Sequence, residues 1–113
     1  MDELDELQTV AACLEALGNE TRLSIYRLLV KAGPDGMAVG ALQRELGIPA
    51  STLTHHLSRL IWVELIHQRR EGRRLICSTD FEGMESMLAF LTRECCAGPE
   101  QRARIAEHLH AKA

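Results

Sequence analysis

With 113 residues the chain has room for one domain, and its 46% hydrophobic and 26% charged residues are typical of a globular protein. No apolar run approaches the roughly 20 residues that a membrane-spanning helix needs. The net charge of −3 disfavours a uniformly basic nucleic-acid-binding protein. However, residues 21–79 carry nine basic and four acidic side chains, whereas residues 1–20 carry six acidic and no basic ones. We therefore expect the middle of the chain to face any phosphate groups that the protein binds.

The N-terminus and the cysteines together indicate a cytoplasmic protein. The segment Met1–Glu6 is acidic where a secretory signal would be basic. In a reducing compartment the cysteines are expected to be thiols, which are available for metal or redox chemistry. These residues are Cys13, Cys77, Cys95 and Cys96.

Two helices are predicted at the start of the chain. Apolar residues from Leu4 to Leu17 recur every three or four positions, which predicts a helix over residues 3–17 that Gly18 ends. Asn19 is a suitable N-cap for a second helix, over residues 20–31. The sequence Gly-Pro-Asp-Gly at residues 33–36 then predicts a turn.

The next two segments predict a helix-turn-helix over about residues 38–62. Val39, Leu42 and Leu46 space a short helix that Gly47 closes, and residues 48–51 form a tight link. The following helix carries leucines on one face and small hydrogen-bonding residues with an arginine on the other. This pattern is typical of a helix that reads the major groove of DNA. The candidate DNA contacts on that second face are Ser51, Thr52, Thr54, His55 and Arg59.

A β-hairpin is predicted directly after this helix, over about residues 65–78, with its turn at Glu71-Gly72. A basic hairpin in this position is typical of a wing that grips the sugar-phosphate backbone or the minor groove. The alternative is an edge ribbon whose charges only prevent aggregation. The candidate phosphate contacts in its arms are Arg69, Arg70, Arg73 and Arg74.

A last long helix is predicted over about residues 82–96, and a weakly amphipathic segment follows at 100–109. Apolar stripes at both ends of so small a domain predict a homodimer formed through the helices at 3–17 and 82–96. Alternatively, these stripes pack only within one subunit. The predicted fold class is therefore mainly α with a small β-hairpin wing: a single winged helix-turn-helix domain, dimeric through its terminal helices.

This order of elements resembles the ArsR/SmtB family of bacterial metal-responsive repressors. The resemblance is carried by Leu-Gly-Asn-Glu-Thr-Arg-Leu at 17–23, by Ser-Thr-Leu-Thr-His-His-Leu at 51–57 and by Arg-Glu-Gly-Arg at 70–73. Val63-Glu64 stands where the family usually has Ala-Gly, so the recognition helix lacks its usual glycine terminator. The stretch 37–42 lacks the Cys-x-Cys of many arsenic-sensing members, and Glu107, His108 and His110 do not match the spacing of the zinc-sensing ones.

The remaining thiols, Cys95 and Cys96, look like the C-terminal site of atypical arsenic repressors in this family. Thiolates select soft centres, and two neighbouring sulfurs suit a trivalent arsenical better than a tetrahedral zinc ion. A third cysteine follows the pair in those relatives but is absent here, so Cys13 is the candidate third ligand. Cys13 could instead be a core residue, Cys95 and Cys96 could be inert, or a redox switch could pair one of them with Cys13. Cys77 lies on the wing strand, away from the other thiols, and we do not expect it to be a ligand.

The sequence therefore predicts a homodimeric repressor that binds operator DNA and is released by arsenite or methylarsenite. Antimonite is a further candidate effector, and a thiol-redox or persulfide-responsive repressor is the alternative. Neither a phosphate loop nor a nucleophile with a placed base is recognisable, so we do not expect an enzyme. A protein-interaction module on the same scaffold is a second alternative, because fold does not fix function.

Overall fold

The computed structural model describes residues 2–93 and 99–112. This part of the chain forms six α helices and a small antiparallel sheet, which packs against α2, α3 and α4. The helices are α1 (Glu3–Leu17), α2 (Glu20–Ala32), α3 (Val39–Leu46), α4 (Ala50–Trp62), α5 (Phe81–Thr92) and α6 (Pro99–Lys112). The strands are β1 (Met37–Ala38), β2 (Ile66–Glu71) and β3 (Arg74–Thr79). The predicted fold class, a mainly helical winged helix-turn-helix, is confirmed.

Three helices begin at side-chain caps, which satisfy N–H groups that have no partner inside the helix. Asn19 accepts a hydrogen bond from the backbone N–H of Arg22 at 3.0 Å, as the predicted N-cap should. Asp2 caps α1 and Asp80 caps α5 in the same way. By contrast, α3 follows Ala38 and α4 follows Pro49, and neither of these has a side-chain capping hydrogen bond.

The sheet has the strand order β1-β3-β2, and the wing is the β2-β3 hairpin. Its turn lies at Gly72-Arg73, one residue later than predicted, and Gly72 has the left-handed φ of 62° that such a turn needs. The two-residue strand β1 was not predicted, because it is too short to show an alternating pattern. Gly36 permits its approach to β3, since a Cβ there would collide with the Cys77 carbonyl oxygen.

The core lies between α2, α4 and the sheet. Leu53, Leu57 and Leu60, the leucine face predicted for α4, are all buried. They belong to one cluster with Ile25 and Leu29 of α2, and with buried residues of α1, α3, α5 and the sheet. This packing fixes α4 so that its polar face points outward.

Helix α4 ends in a tight turn although no glycine is present there. Glu64 takes the glycine position and adopts φ 61°, the one positive value at a non-glycine residue in the described chain. The turn is closed by hydrogen bonds from Glu64 N to Ile61 O and from Leu65 N to Leu60 O. The turn is therefore made by a residue with a side chain in a conformation that favours glycine.

The terminal helices only partly follow the predicted stripes. Helix α1 has the predicted bounds, but α5 ends at Thr92, and residues 94–96 of the predicted helix lie outside the described part. In α1 the residues Val10, Cys13 and Ala16 are buried, whereas Leu14 is 43% exposed. Leu88 and Leu91 of α5 are about half exposed. Across residues 2–93 and 99–112, no helix has the length and apolar character needed to cross a membrane.

Candidate DNA-binding surface and thiol site

The helix-turn-helix consists of α3, a short link and α4. Gly47 ends α3 in the left-handed conformation (φ 65°), and its N–H donates to the Gln43 carbonyl oxygen at 2.8 Å. The first turn of α4 then begins with a backbone hydrogen bond, which the N–H of Leu53 donates to the carbonyl oxygen of Pro49. The first two turns carry four exposed candidate DNA contacts, which form a continuous polar surface: Ser51, Thr52, Thr54 and His55.

A buried arginine fixes α4 against α2. Arg22 donates from Nε to the Ala16 carbonyl oxygen at 2.5 Å and from Nη1 to Nδ1 of His56 at 3.3 Å. Burial, followed by the positive charge of Arg22, lowers the pKa of His56 below its usual range. This role of Arg22 was not predicted, although its position three residues before Ile25 places it on the core side of α2.

Arg59 lies in the second half of α4, where it was predicted to contact the DNA backbone. Its Nη2 is 2.8 Å from Oε1 and 2.9 Å from Oε2 of Glu15 on α1. In this structure Arg59 therefore links the recognition helix to α1. A DNA contact by Arg59, which stays a prediction, would require its guanidinium to leave or share Glu15.

The wing presents its arginines in two ways. Arg69 donates to Glu71 Oε2 at 2.8 Å and to the Asp35 carbonyl oxygen at 2.9 Å, so it braces the hairpin against the turn before β1. Arg70, Arg73 and Arg74 are exposed. The free charge predicted for the wing is thus concentrated at its tip.

Two of the four cysteines are buried thiols. Burial raises the pKa of both Cys13 and Cys77, which disfavours the reactive thiolate. The Cys13 thiol donates to the Val63 carbonyl oxygen at 3.5 Å, and the Cys77 sulfur accepts from Gln68 Nε2 at 3.6 Å. Cys95 and Cys96, the predicted effector ligands, lie outside the described residues.

The end of α5 is tied to the start of α1. Arg93 is 2.7 Å from Glu6 Oε1, and this contact lowers the pKa of Glu6. Cys13 lies seven residues further along α1, about 10 Å at 1.5 Å per residue, where it borders a groove that also contains Gly83 of α5. Helices α1 and α5 are therefore antiparallel, and Cys13 lies beside the beginning of α5 rather than its end. Within the described residues, no group of three or more His, Cys, Asp or Glu side chains could hold a metal ion.

Comparisons with known proteins match this arrangement. A family model described as a helix-turn-helix domain matches residues 17–69, which include α2, α3, α4 and the first four residues of β2. YgaV, an HTH-type transcriptional regulator of Escherichia coli, is 33% identical over 100 residues, an alignment that spans 85% of this chain and 99% of YgaV. A Halobacterium salinarum protein that carries the name of an arsenical resistance operon repressor, ArsR, is 32% identical over 79% of this chain and 75% of its own length.

Two solved structures show the same fold at low sequence identity. Reduced HlyU from Vibrio cholerae is 25% identical, with a TM-score of 0.62 over 84% of this chain and 99% of HlyU. The homodimeric winged helix-turn-helix DNA-binding domain of Mb0332 from Mycobacterium bovis is 26% identical. Its TM-score is 0.64 over 98% of this chain and 93% of that domain.

Proposed function

Since the chain belongs to the ArsR/SmtB family of winged helix-turn-helix transcriptional regulators, we propose that it is a homodimeric repressor of the cytoplasm that a trivalent arsenical releases from operator DNA. The observation that carries the DNA-binding part is the exposed polar face of α4 beside an arginine-tipped wing. The effector part rests on the adjacent thiols of Cys95 and Cys96 and on the arsenical-resistance relative.

In the proposed complex, the N-terminal half of α4 enters the major groove, where Ser51, Thr52, Thr54 and His55 contact base edges or nearby phosphates. The wing arginines bind the backbone. Two such surfaces in a dimer would meet half-sites about 34–36 Å apart. The exposed leucines of α1 and α5 support this dimer, because Leu14, Leu88 and Leu91 have no described core to cover them.

The effector chemistry needs only the two adjacent thiols. Methylarsenite, written as its dihydroxide, would exchange both hydroxyl groups for the two sulfurs and release two molecules of water. Inorganic arsenite prefers a third sulfur, and Cys13 is the candidate. The position of Cys13 beside the beginning of α5, with its thiol turned to Val63, favours the two-thiol version within one subunit.

Helix α1 offers a route from the thiols to the recognition helix. One end of α1 is joined to the end of α5 by Glu6 and Arg93, two residues before Cys95, and the other is joined to α4 by Glu15 and Arg59. Each exposed ion pair contributes little by itself. A shift of α1 that changes both pairs is compatible with the 1–3 kcal/mol typical of allosteric coupling.

The test uses a duplex selected from a random library by the purified protein, with binding followed by fluorescence anisotropy. Arsenite, methylarsenite, antimonite and zinc are titrated separately into the complex. We expect methylarsenite to release the DNA from the wild type but not from Cys95→Ser/Cys96→Ser, whereas the matched thiol control Cys77→Ser should respond normally. Release that survives in the double variant would contradict the assigned effector site.

A thiol-redox repressor is the second candidate, and the solved reduced form of HlyU favours keeping it. Two thiols would give two electrons and two protons to hydrogen peroxide, forming a disulfide and two molecules of water. Release by peroxide that dithiothreitol reverses, with no response to arsenicals, would select this candidate. If neither random-library selection nor a salt-dependent gel shift detects DNA binding, the scaffold is a protein-interaction module instead.

A further inference from the structure

We propose that a groove between α3 and the wing binds a phosphate group of the operator backbone, with Arg44 as its central ligand. This inference rests on the proposed DNA-binding function and adds a contact outside the recognition helix. The groove, here called the α3–wing groove, has a volume of about 440 Å3. It is lined by residues 38–41, by Arg44 and by residues 73–75.

The charge of the α3–wing groove is entirely positive. Its lining includes Arg44, Arg73 and Arg74, and no acidic residue. Glu71 stands opposite Arg74 in the strand register, but its carboxylate accepts a hydrogen bond from Arg69 at 2.8 Å. Three arginines around one cavity repel each other, and an anion between them removes that repulsion. Guanidinium groups also match the geometry of phosphate oxygens.

Arg44, near the end of α3, reaches back toward the start of the helix, which is the usual direction of helical side chains. Its Nη1 atom folds back over the first turn of the helix and lies 3.6 Å from the point where a Cβ on Gly40 would stand. A cation is unfavourable at the N-terminal end of a helix, where unpaired N–H groups carry partial positive charge. An anion placed between the guanidinium and these N–H groups would interact favourably with both.

The start of α3 is also open to such a ligand. Ala38 precedes the helix and offers no side-chain acceptor, so the first-turn N–H groups have no capping side chain. The absence of a Cβ at Gly40 lets a phosphate oxygen come close to the backbone.

The groove favours a phosphate of DNA over a free anion because of its place in the fold. Arg73 and Arg74 belong to the wing, and the link at residues 47–49 joins α3 directly to the recognition helix. A DNA strand that passes the tip of the wing would therefore reach Arg44 without leaving the basic surface. This contact would fix the register of the protein on the duplex but would not read bases.

The first test compares Arg44→Gln with Arg104→Gln, an exposed arginine of α6, on the selected duplex at several salt concentrations. Losing one phosphate contact should reduce the slope of log K against log salt by about 0.9 and weaken binding several-fold, with unchanged base preference. Arg104→Gln should match the wild type. An unchanged slope in Arg44→Gln would overturn the proposal.

The second test introduces a carboxylate of the protein at the position where the phosphate is proposed to bind. Ala38→Asp places a carboxylate at the N-cap of α3, where it should accept the free N–H groups and leave thermal stability equal or higher. We expect DNA affinity to fall about tenfold. Unchanged affinity in a folded variant would contradict the proposal.

A third measurement separates the sources of phosphate. Inorganic phosphate is titrated at constant ionic strength while the melting temperature is followed. A rise in wild type that Arg44→Gln abolishes, together with an unchanged salt slope on DNA, would assign the groove to a free anion and overturn the DNA contact. If the wild type binds no DNA at any salt concentration, the proposed function fails as well. If the wild type binds DNA and Arg44→Gln keeps the same salt slope, the groove contact alone fails.

Discussion

The segment from α2 to the wing and the pair formed by α1 and α5 differ in charge and in the roles that we propose for them. The first is basic, buries the leucine face of its recognition helix and holds that helix through Arg22. The second is acidic and leaves Leu14, Leu88 and Leu91 substantially exposed. Apolar side chains are also exposed in the first region, at Leu23, Val30 and Trp62. The leucines of the terminal pair are the ones that we expect a second subunit to cover. We infer that stability depends mainly on the first region and regulation mainly on the second.

The largest effect should come from the contact that holds the reading segment together. Arg22→Ala leaves the Ala16 carbonyl and His56 without their buried donor, which should cost about 2–4 kcal/mol of the free energy of unfolding. Arg27→Ala, at an exposed position of the same helix, should stay within about 0.5 kcal/mol. Urea denaturation measures both. A small loss in Arg22→Ala would show that α4 is held by its leucines alone.

The second prediction concerns the exposed leucines of the terminal helices, which we expect to form the dimer interface. Leu88→Lys should weaken the dimer at least about tenfold and reduce DNA affinity with it, because a charge would be buried in the interface. Leu23→Lys makes the same change at similar exposure on α2 and should leave the dimer intact. Analytical ultracentrifugation gives the association constants. Equal behaviour of the two variants would mean that α5 is not part of the interface.

At the junction between the recognition helix and the wing, we expect a smaller change that raises the free energy of unfolding. Because Glu64 is held at φ 61°, Glu64→Gly should stabilise the fold by about 1 kcal/mol. Glu64→Ala keeps the unfavourable conformation and removes the same carboxylate, so it isolates the backbone contribution. If both variants have the same urea midpoint, the left-handed conformation carries no cost here.

The smallest expected effect is a pH dependence of the reading segment. Neutral His56 accepts the hydrogen bond from Arg22, and its pKa is lowered by burial first, then by the charges of Arg22, His55 and Arg59. Its contribution to stability is therefore fully present above the ordinary value of 6.5 and is lost as pH falls toward the lowered folded pKa. Urea midpoints between pH 7.5 and 5 should decline less in His56→Gln than in His55→Gln. Glu6 acts in a separate window, below its ordinary 4.5.

Features that depend on local sequence patterns could be predicted from the sequence, whereas contacts between distant residues could not. Apolar spacing and caps located α1 and α2 to within a residue, and the leucine pattern of α4 fixed which face points outward. Contacts between distant residues left no local pattern: Arg22 with His56, Arg59 with Glu15, and β1 with β3. Arg59 was therefore assigned to DNA without its partner on α1. The left-handed conformation of Glu64 was likewise hidden, because tertiary packing outweighed the preference for glycine.

We propose that one protein surface reads DNA and that a separate thiol pair controls its release. The most direct test counts reactive thiols with a chromogenic disulfide reagent in the same titration that follows DNA release by methylarsenite. Because Cys13 and Cys77 are buried with raised pKa values, we predict two fast-reacting and two slow-reacting thiols per subunit. Both fast thiols should disappear in step with DNA release at one arsenical per subunit. Release while the fast thiols stay reactive, or their complete loss without release, would contradict the proposed division of roles between the DNA-binding surface and the thiol pair.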